Sequence, residues 1–98
     1  MNKIIINLNP SQPSIQGQYT NGDDVLVMCD ATDGDFSITM PDVDSSKEST
    51  FRFVKKDDSL HEVTLVGKPN QKIMNEDDQV LTEEADELVL NSDGTGWW

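Results

Sequence analysis

His61 is the single histidine and Cys29 the single cysteine of this sequence, and together they bound its nucleophilic chemistry. A Ser-His-Asp site would have to use His61 as its base. No G-x-S-x-G elbow presents a serine, and no spacing places one beside His61. His61 falls among Leu60, Glu62 and Val63 on an expected strand, and reads as a surface or cross-strand residue. Cys29 closes the apolar run Val25-Leu26-Val27-Met28-Cys29 and reads as a small core residue rather than a nucleophile. One Cys and one His do not complete a four-ligand zinc site. A lone cysteine makes no intramolecular disulfide, so nothing asks for an oxidising compartment. No phosphate-cradling or dinucleotide-type glycine pattern is present.

Carboxylates are the remaining candidates. Asp30, Asp33 and Asp35 crowd one turn, and Asp42 and Asp44 another. Hard oxygens suit calcium, but the ligand loop with its Gly at the sixth position and closing Glu is absent. A glycosidase needs two carboxylates at a fixed separation in a cleft, and scattered turn aspartates define no such pair. Asp-Asp pairs precede apolar runs at Asp23-Asp24, Asp57-Asp58 and Asp77-Asp78. Asp stabilises turns through its own backbone contacts, so these residues read as turn formers on a solvated acidic surface. The expectation is a protein that is not an enzyme and holds no metal or cofactor.

Size and charge narrow the classes further. The chain has 98 residues, room for one compact domain with a modest core. Asp and Glu number 19 against 7 Lys and Arg, a net charge of -12. Binding DNA or RNA requires cations to displace the counterions of the phosphates, so a nucleic-acid partner is not expected. An anionic membrane surface is disfavoured for the same reason. No run approaches the roughly 20 apolar residues of a helical span, and the N-terminal stretch is too short and interrupted for a signal peptide. The chain is expected to be made and used in a cytoplasm, or released from one by lysis.

The elements read as strands. Phe36-Ser37-Ile38-Thr39-Met40 alternates with period two, placing Phe36, Ile38 and Met40 on one face. Strands are expected at Val25–Cys29, around Phe51 and Phe53, over His61–Val66, Lys72–Met74 and Gln79–Thr82, and from Glu87 to Leu90. Asn21-Gly22, Asp33-Gly34, Gly67-Lys68-Pro69-Asn70 and Asp93-Gly94 supply turns. Ser45-Ser46-Lys47-Glu48 is either a single helical turn or a loop. Short strands punctuated this often predict an all-β fold, a small antiparallel β-sandwich or barrel-like domain over 19–98. The expected core is Val25, Val27, Phe36, Ile38, Met40, Phe51, Phe53, Val63, Leu65, Ile73, Val80, Leu88, Leu90 and Trp97.

Residues 1–18 read as an extended N-terminal arm. A strand over Lys3–Leu8 is followed by a polar spacer in which Pro10 and Pro13 rule out a helix. The arm either pairs with a sheet of its own or another chain, or is simply a first strand and loop. Adjacent Trp97 and Trp98 on a strand point to opposite faces. One enters the core, and the other is left to solvent or to a neighbouring subunit.

Several segments taken in order resemble a small β domain of tailed-bacteriophage virion proteins. They are Tyr19-Thr20, Asp24-Val25-Leu26-Val27, Asp30-Ala31, Phe36-Ser37-Ile38-Thr39-Met40-Pro41-Asp42 and Phe51-Arg52-Phe53-Val54-Lys55-Lys56-Asp57. Val63-Thr64-Leu65, Gln71-Lys72-Ile73, Leu88-Val89-Leu90 and Asn91-Ser92-Asp93-Gly94-Thr95-Gly96-Trp97 follow. The likeness covers residues 19–98. Departures are Glu48-Ser49 where the family carries a glycine, and Ile73-Met74-Asn75 where it reads Ile-Asp-Gly.

The resemblance implies a virion structural protein without catalytic residues, commonly a homotrimer. A short chain fits a capsid decoration (cement) protein on the capsid surface, bound to the major capsid protein or another virion protein. A tail-fibre or receptor-recognition component is the alternative within this class. From another class, an acidic DNA-mimic inhibitor fits the charge. The residues expected to contact capsid or a neighbouring subunit are Ile4, Ile5, Ile6, Leu8, Pro10, Pro13, Ile15 and Trp98.

Overall fold

Each alternating run becomes a strand with one face buried. A computed structural model describes residues 2–98, with β1 (Lys3–Leu8), β2 (Asp24–Cys29), β3 (Phe36–Thr39), β4 (Thr50–Lys55), β5 (Val63–Val66), β6 (Asp78–Leu81) and β7 (Glu87–Asn91). One 3₁₀ turn, Asp44–Ser46, precedes β4. No helix among the described residues is long and apolar enough to cross a membrane.

The strands form two sheets, ordered β1-β2-β4-β7 and β3-β5-β6. The all-β class is as expected, but the ladders are mixed rather than antiparallel throughout. β1 runs parallel to β2, β2 to β4, and β3 to β5, while β4–β7 and β5–β6 are antiparallel. The reason is the route of the chain. After β2 it crosses to the smaller sheet for β3, returns for β4 and crosses again for β5. One strand laid down in the other layer brings the chain back to the end from which it left, so β4 runs with β2 and β5 with β3, whereas β1 and β2 are joined in parallel by the long connection 9–23. Asp33-Gly34 therefore turns the chain between layers instead of closing a hairpin.

The core lies between the sheets. Its largest fully buried side chains include Trp97, Phe51, Phe53, Leu8, Ile15, Ile38, Met40, Leu65, Ile73 and Leu90. Phe51 is the hub. Tyr19 meets it edge-on at a centroid distance of 5.0 Å, and Trp97 does so at 5.5 Å. Such aromatic contacts add about 0.5–1.5 kcal/mol beyond the buried area. The Tyr19 hydroxyl reaches the Ser46 hydroxyl at 2.9 Å, which ties the 3₁₀ turn to this cluster.

Several expectations shift. Lys3–Leu8 is a strand of the chain's own larger sheet, and Ile6, Leu8 and Ile15 are buried in its core. Those three face inward and so are not available to a capsid or a neighbouring subunit. Val80 is exposed and Leu81 takes the core position, because the register of β6 places Leu81 opposite Val63 and Val80 opposite Thr64. Leu88 is only partly buried, beside the core. Lys72–Met74 forms isolated bridges at Ile73 rather than a strand, since Met74 and Asn75 turn through left-handed backbone. His61 precedes β5 instead of lying on it.

Candidate interaction surface

The outer face of the four-stranded sheet is built by alternation. Because Val25, Val27, Phe51, Phe53 and Leu90 point inward, their neighbours along each strand point outward. The pairing aligns those outward residues in rows. Ile5, Leu26, Arg52 and Val89 make the central row. Asn7, Met28, Val54 and Glu87 lie on one side of it, and Lys3, Asp24, Thr50 and Asn91 on the other. Trp98 extends the last row. Its amide donates to the Asn91 carbonyl at 2.8 Å and the Asn91 amide donates to the Trp98 carbonyl at 2.7 Å. Directly opposed residues of an antiparallel pair share a face, so Trp98 stands beside Asn91 on the outside.

This face is apolar for an outer face. Ile5 is 62% exposed, Trp98 52% and Val89 39%, and Leu26, Met28 and Val54 are partly exposed. Arg52 lies at its centre, next to a hollow of about 100 Å³ bounded by Lys3, Asp24, Val25 and Leu26. The ionised groups Lys3, Arg52, Asp24 and Glu87 cancel, so the charge of -12 is carried elsewhere on the molecule. The smaller sheet differs. Its outward positions are Ser37, Thr39, Thr64, Val66, Asp78 and Val80, mostly polar.

Of the residues expected to make contacts, Ile5 and Trp98 thus share one face, at its two ends. Ile4 is partly buried on the core side. Pro10 and Pro13 are partly exposed in the connection to β2, away from the β1 ladder. Sequence reasoning missed Leu26, Met28, Arg52, Val54 and Val89. The available signal was the unbroken apolar runs Ile4–Ile6 and Val25–Cys29, since strands with one wet face alternate and strands with two apolar faces do not.

Asp57, Ser59 and His61 meet in the loop before β5 but form no nucleophilic relay: the Ser59 hydroxyl bonds to the Asp57 carboxylate and accepts from the His61 amide at 3.3 Å, while the imidazole Nδ1 faces the Ala31 carbonyl. Cys29 is fully buried, and burial pushes its thiol up to about 12. Native protein is therefore expected to react with a thiol reagent such as DTNB only at the rate of unfolding, and full reaction should need denaturant. Fast stoichiometric labelling of folded protein would contradict the buried placement. His61 is exposed, with Nδ1 2.8 Å from the Ala31 carbonyl. The aspartates bind backbone amides within turns. Asp30 accepts from the Thr32 amide and hydroxyl, Asp86 from the Thr82 and Glu83 amides, and Asp93 from Thr95 and Gly96. Those bonds favour the ionised forms, lowering Asp30 and Asp86 and bringing Asp93 to about 2. No group of three or more potential metal ligands occurs among the described residues.

Lys55 points into the core beside Phe51 and Phe53, and its ammonium meets the Asp57 carboxylate at 2.9 Å and the Ser59 carbonyl at 2.9 Å. Asp57 also accepts from the Ala31 amide at 2.7 Å and from the Ser59 amide and hydroxyl. This cluster fastens the ends of β2 and β4 to the loop before β5. A cleft of about 410 Å³ runs between residues Pro13–Gly17 and the end of β3, with Asp42 and Lys68 as its charged groups. Asp42 is already bonded to the Asp44 amide and Gln71. No family model, curated protein or solved structure matches the chain.

Proposed function

We propose that this protein is a structural binding module of a bacteriophage virion, a decoration (cement) protein that lays the outer face of its larger sheet on the major capsid protein. The observation that carries this reading is the face itself: apolar, locally neutral and anchored by Trp98 on a chain of charge -12. Buried aromatic and arginine anchors dominate binding energies at protein interfaces, and Trp98 and Arg52 supply one of each. The acidic remainder suits an outward layer that keeps particles apart in solution. The ordered likeness of residues 19–98 to phage virion domains supplies the particle.

The test is co-sedimentation of the purified protein with undecorated capsid shells. Wild-type protein is expected to pellet with shells, and Val89→Asp is expected to weaken that binding at least about tenfold, because the new carboxylate stands opposite Arg52, replaces an apolar contact and draws off the arginine anchor. Thr64→Asp, on the other sheet's outer face, serves as the matched control. No binding by wild-type protein, or equal loss in both variants, would overturn the reading.

A further inference from the structure

β1 is an edge strand, and its free edge is ordered by parity. The Asn2 carbonyl accepts from the Asp24 amide at 2.8 Å and the Leu8 carbonyl from the Asp30 amide at 2.9 Å. Even-numbered residues of β1 therefore turn their backbone groups towards β2. The N–H and C=O groups of Lys3, Ile5 and Asn7 point away from the sheet. Such an edge is a template for another strand. Nothing blunts it except Lys3 at its start: β1 holds no proline and no second charge. The opposite edge of the same sheet is partly taken, because Trp98 occupies the outward groups of Asn91.

We infer that β1 pairs antiparallel with β1 of a second copy of this chain across a twofold axis at Ile5. That register sets Ile5 against Ile5 of the second copy, and Lys3 against Asn7. Lys3, Ile5 and Asn7, whose backbone groups point outward, then form hydrogen-bonded pairs with Asn7, Ile5 and Lys3 of the second copy. No like charges oppose each other, which matters in a chain of charge -12. On the core side, Ile4 faces Ile6 of the other copy. An isologous contact of this kind closes by itself. A trimer built on this sheet would have to join β1 head to tail with the edge that Trp98 partly fills.

The pairing also fits the size of the docking face, a consequence that rests on the proposed function. From strand spacings of about 4.8 Å and a two-residue rise of about 6.7 Å, one copy's face has a planar footprint of roughly 400–500 Å². Two copies in one continuous sheet present roughly twice that, close to the ~800 Å² per partner of a standard stable interface.

Light scattering across micromolar to millimolar concentrations is expected to show a monomer–dimer equilibrium. Ile5→Pro removes an amide that points away from β2, so the native ladder survives. It should raise the dimer dissociation constant at least about tenfold, with circular dichroism and melting little changed. Ile5→Cys tests the axis independently of that variant's folding. Opposed Cα atoms of a hydrogen-bonded pair lie about 5.5 Å apart, inside the disulfide range of about 4.4–6.8 Å. Mild oxidation should therefore give a covalent dimer. A wild-type protein that stays monomeric or forms trimers, a folded Ile5→Pro protein that dimerises as before, or an Ile5→Cys protein that does not crosslink would each overturn the inference. Shell binding by a strict monomer would sink the pairing and leave the proposed function standing. A dimer that ignores shells would do the reverse.

Discussion

Asp57→Ala is expected to cost about 3–5 kcal/mol, because it leaves the fully buried Lys55 ammonium without its counter-charge. For a domain of this size that lowers the melting temperature by at least about 12 °C. The loss reaches beyond the ion pair, since the Ala31 amide and the Ser59 hydroxyl lose their acceptor as well. Lys55→Met should be milder. It keeps the inward aliphatic volume, and Asp57 retains its bonds to Ala31 and Ser59. Chemical denaturation of both variants checks the order, and equal losses would mean that the carboxylate matters only as a partner of Lys55.

The same carboxylate sets an acid limb. Burial pushes the Asp57 carboxyl up, but bonds from the Ser59 hydroxyl, the Ala31 amide and Lys55 outweigh it and hold it well below the usual carboxylate range. Its native pKa therefore lies beneath the unfolded value of about 3.9. The stabilisation is complete above the unfolded value and drains away as the pH falls through about 4 towards the native value. Wild-type stability should fall over that window, and Asp57→Ala should flatten the fall.

Trp97→Ala is the second large effect, about 3–5 kcal/mol. Trp97 is fully buried, packs edge-on against Phe51 and bridges to both Ile73 and Ser92. Its removal opens a cavity where the two sheets are tied together by residues distant in sequence. Its indole Nε1 has no acceptor among the described residues. Trp97→Phe gives up volume but also removes that unpaired donor, so it should cost clearly less than Trp97→Ala. Thermal melts of the pair separate packing from polar contributions. Near-equal losses would show that the indole's shape, rather than its bulk, is what the site requires.

Much of the fold was legible from period-two alternation. Phe36, Ile38, Phe51, Phe53, Val63, Leu65 and Trp97 all occupy the core positions their spacing requires. The direction of the strands was not legible, because alternation is blind to whether a neighbour runs up or down. Here the layer-crossing route decided it. Lys55 shows a different failure. Phe51, Phe53 and Lys55 share one parity, yet a lysine reads as the exit of a strand until Asp57 is known to lie within reach of it. Val80 and Leu81 show a third, since one step of register exchanges core for solvent. The outer face of the larger sheet was half legible: Ile5 and Trp98 stood out as apolar residues in need of a place, but only the ladder puts them on the same side.

The interleaved path of the chain has a kinetic consequence. β2 and β4 become neighbours only after β3 has been laid down in the other layer, and β3 and β5 only after β4. Apart from the consecutive antiparallel pair β5–β6, neither sheet is built from local hairpins, and loop closure must precede most of the pairing. Such non-local topologies fold in milliseconds to seconds rather than microseconds. They also open as a unit, so the amides of Val27 in one layer and Leu65 in the other should exchange with deuterium at the same, globally limited rate.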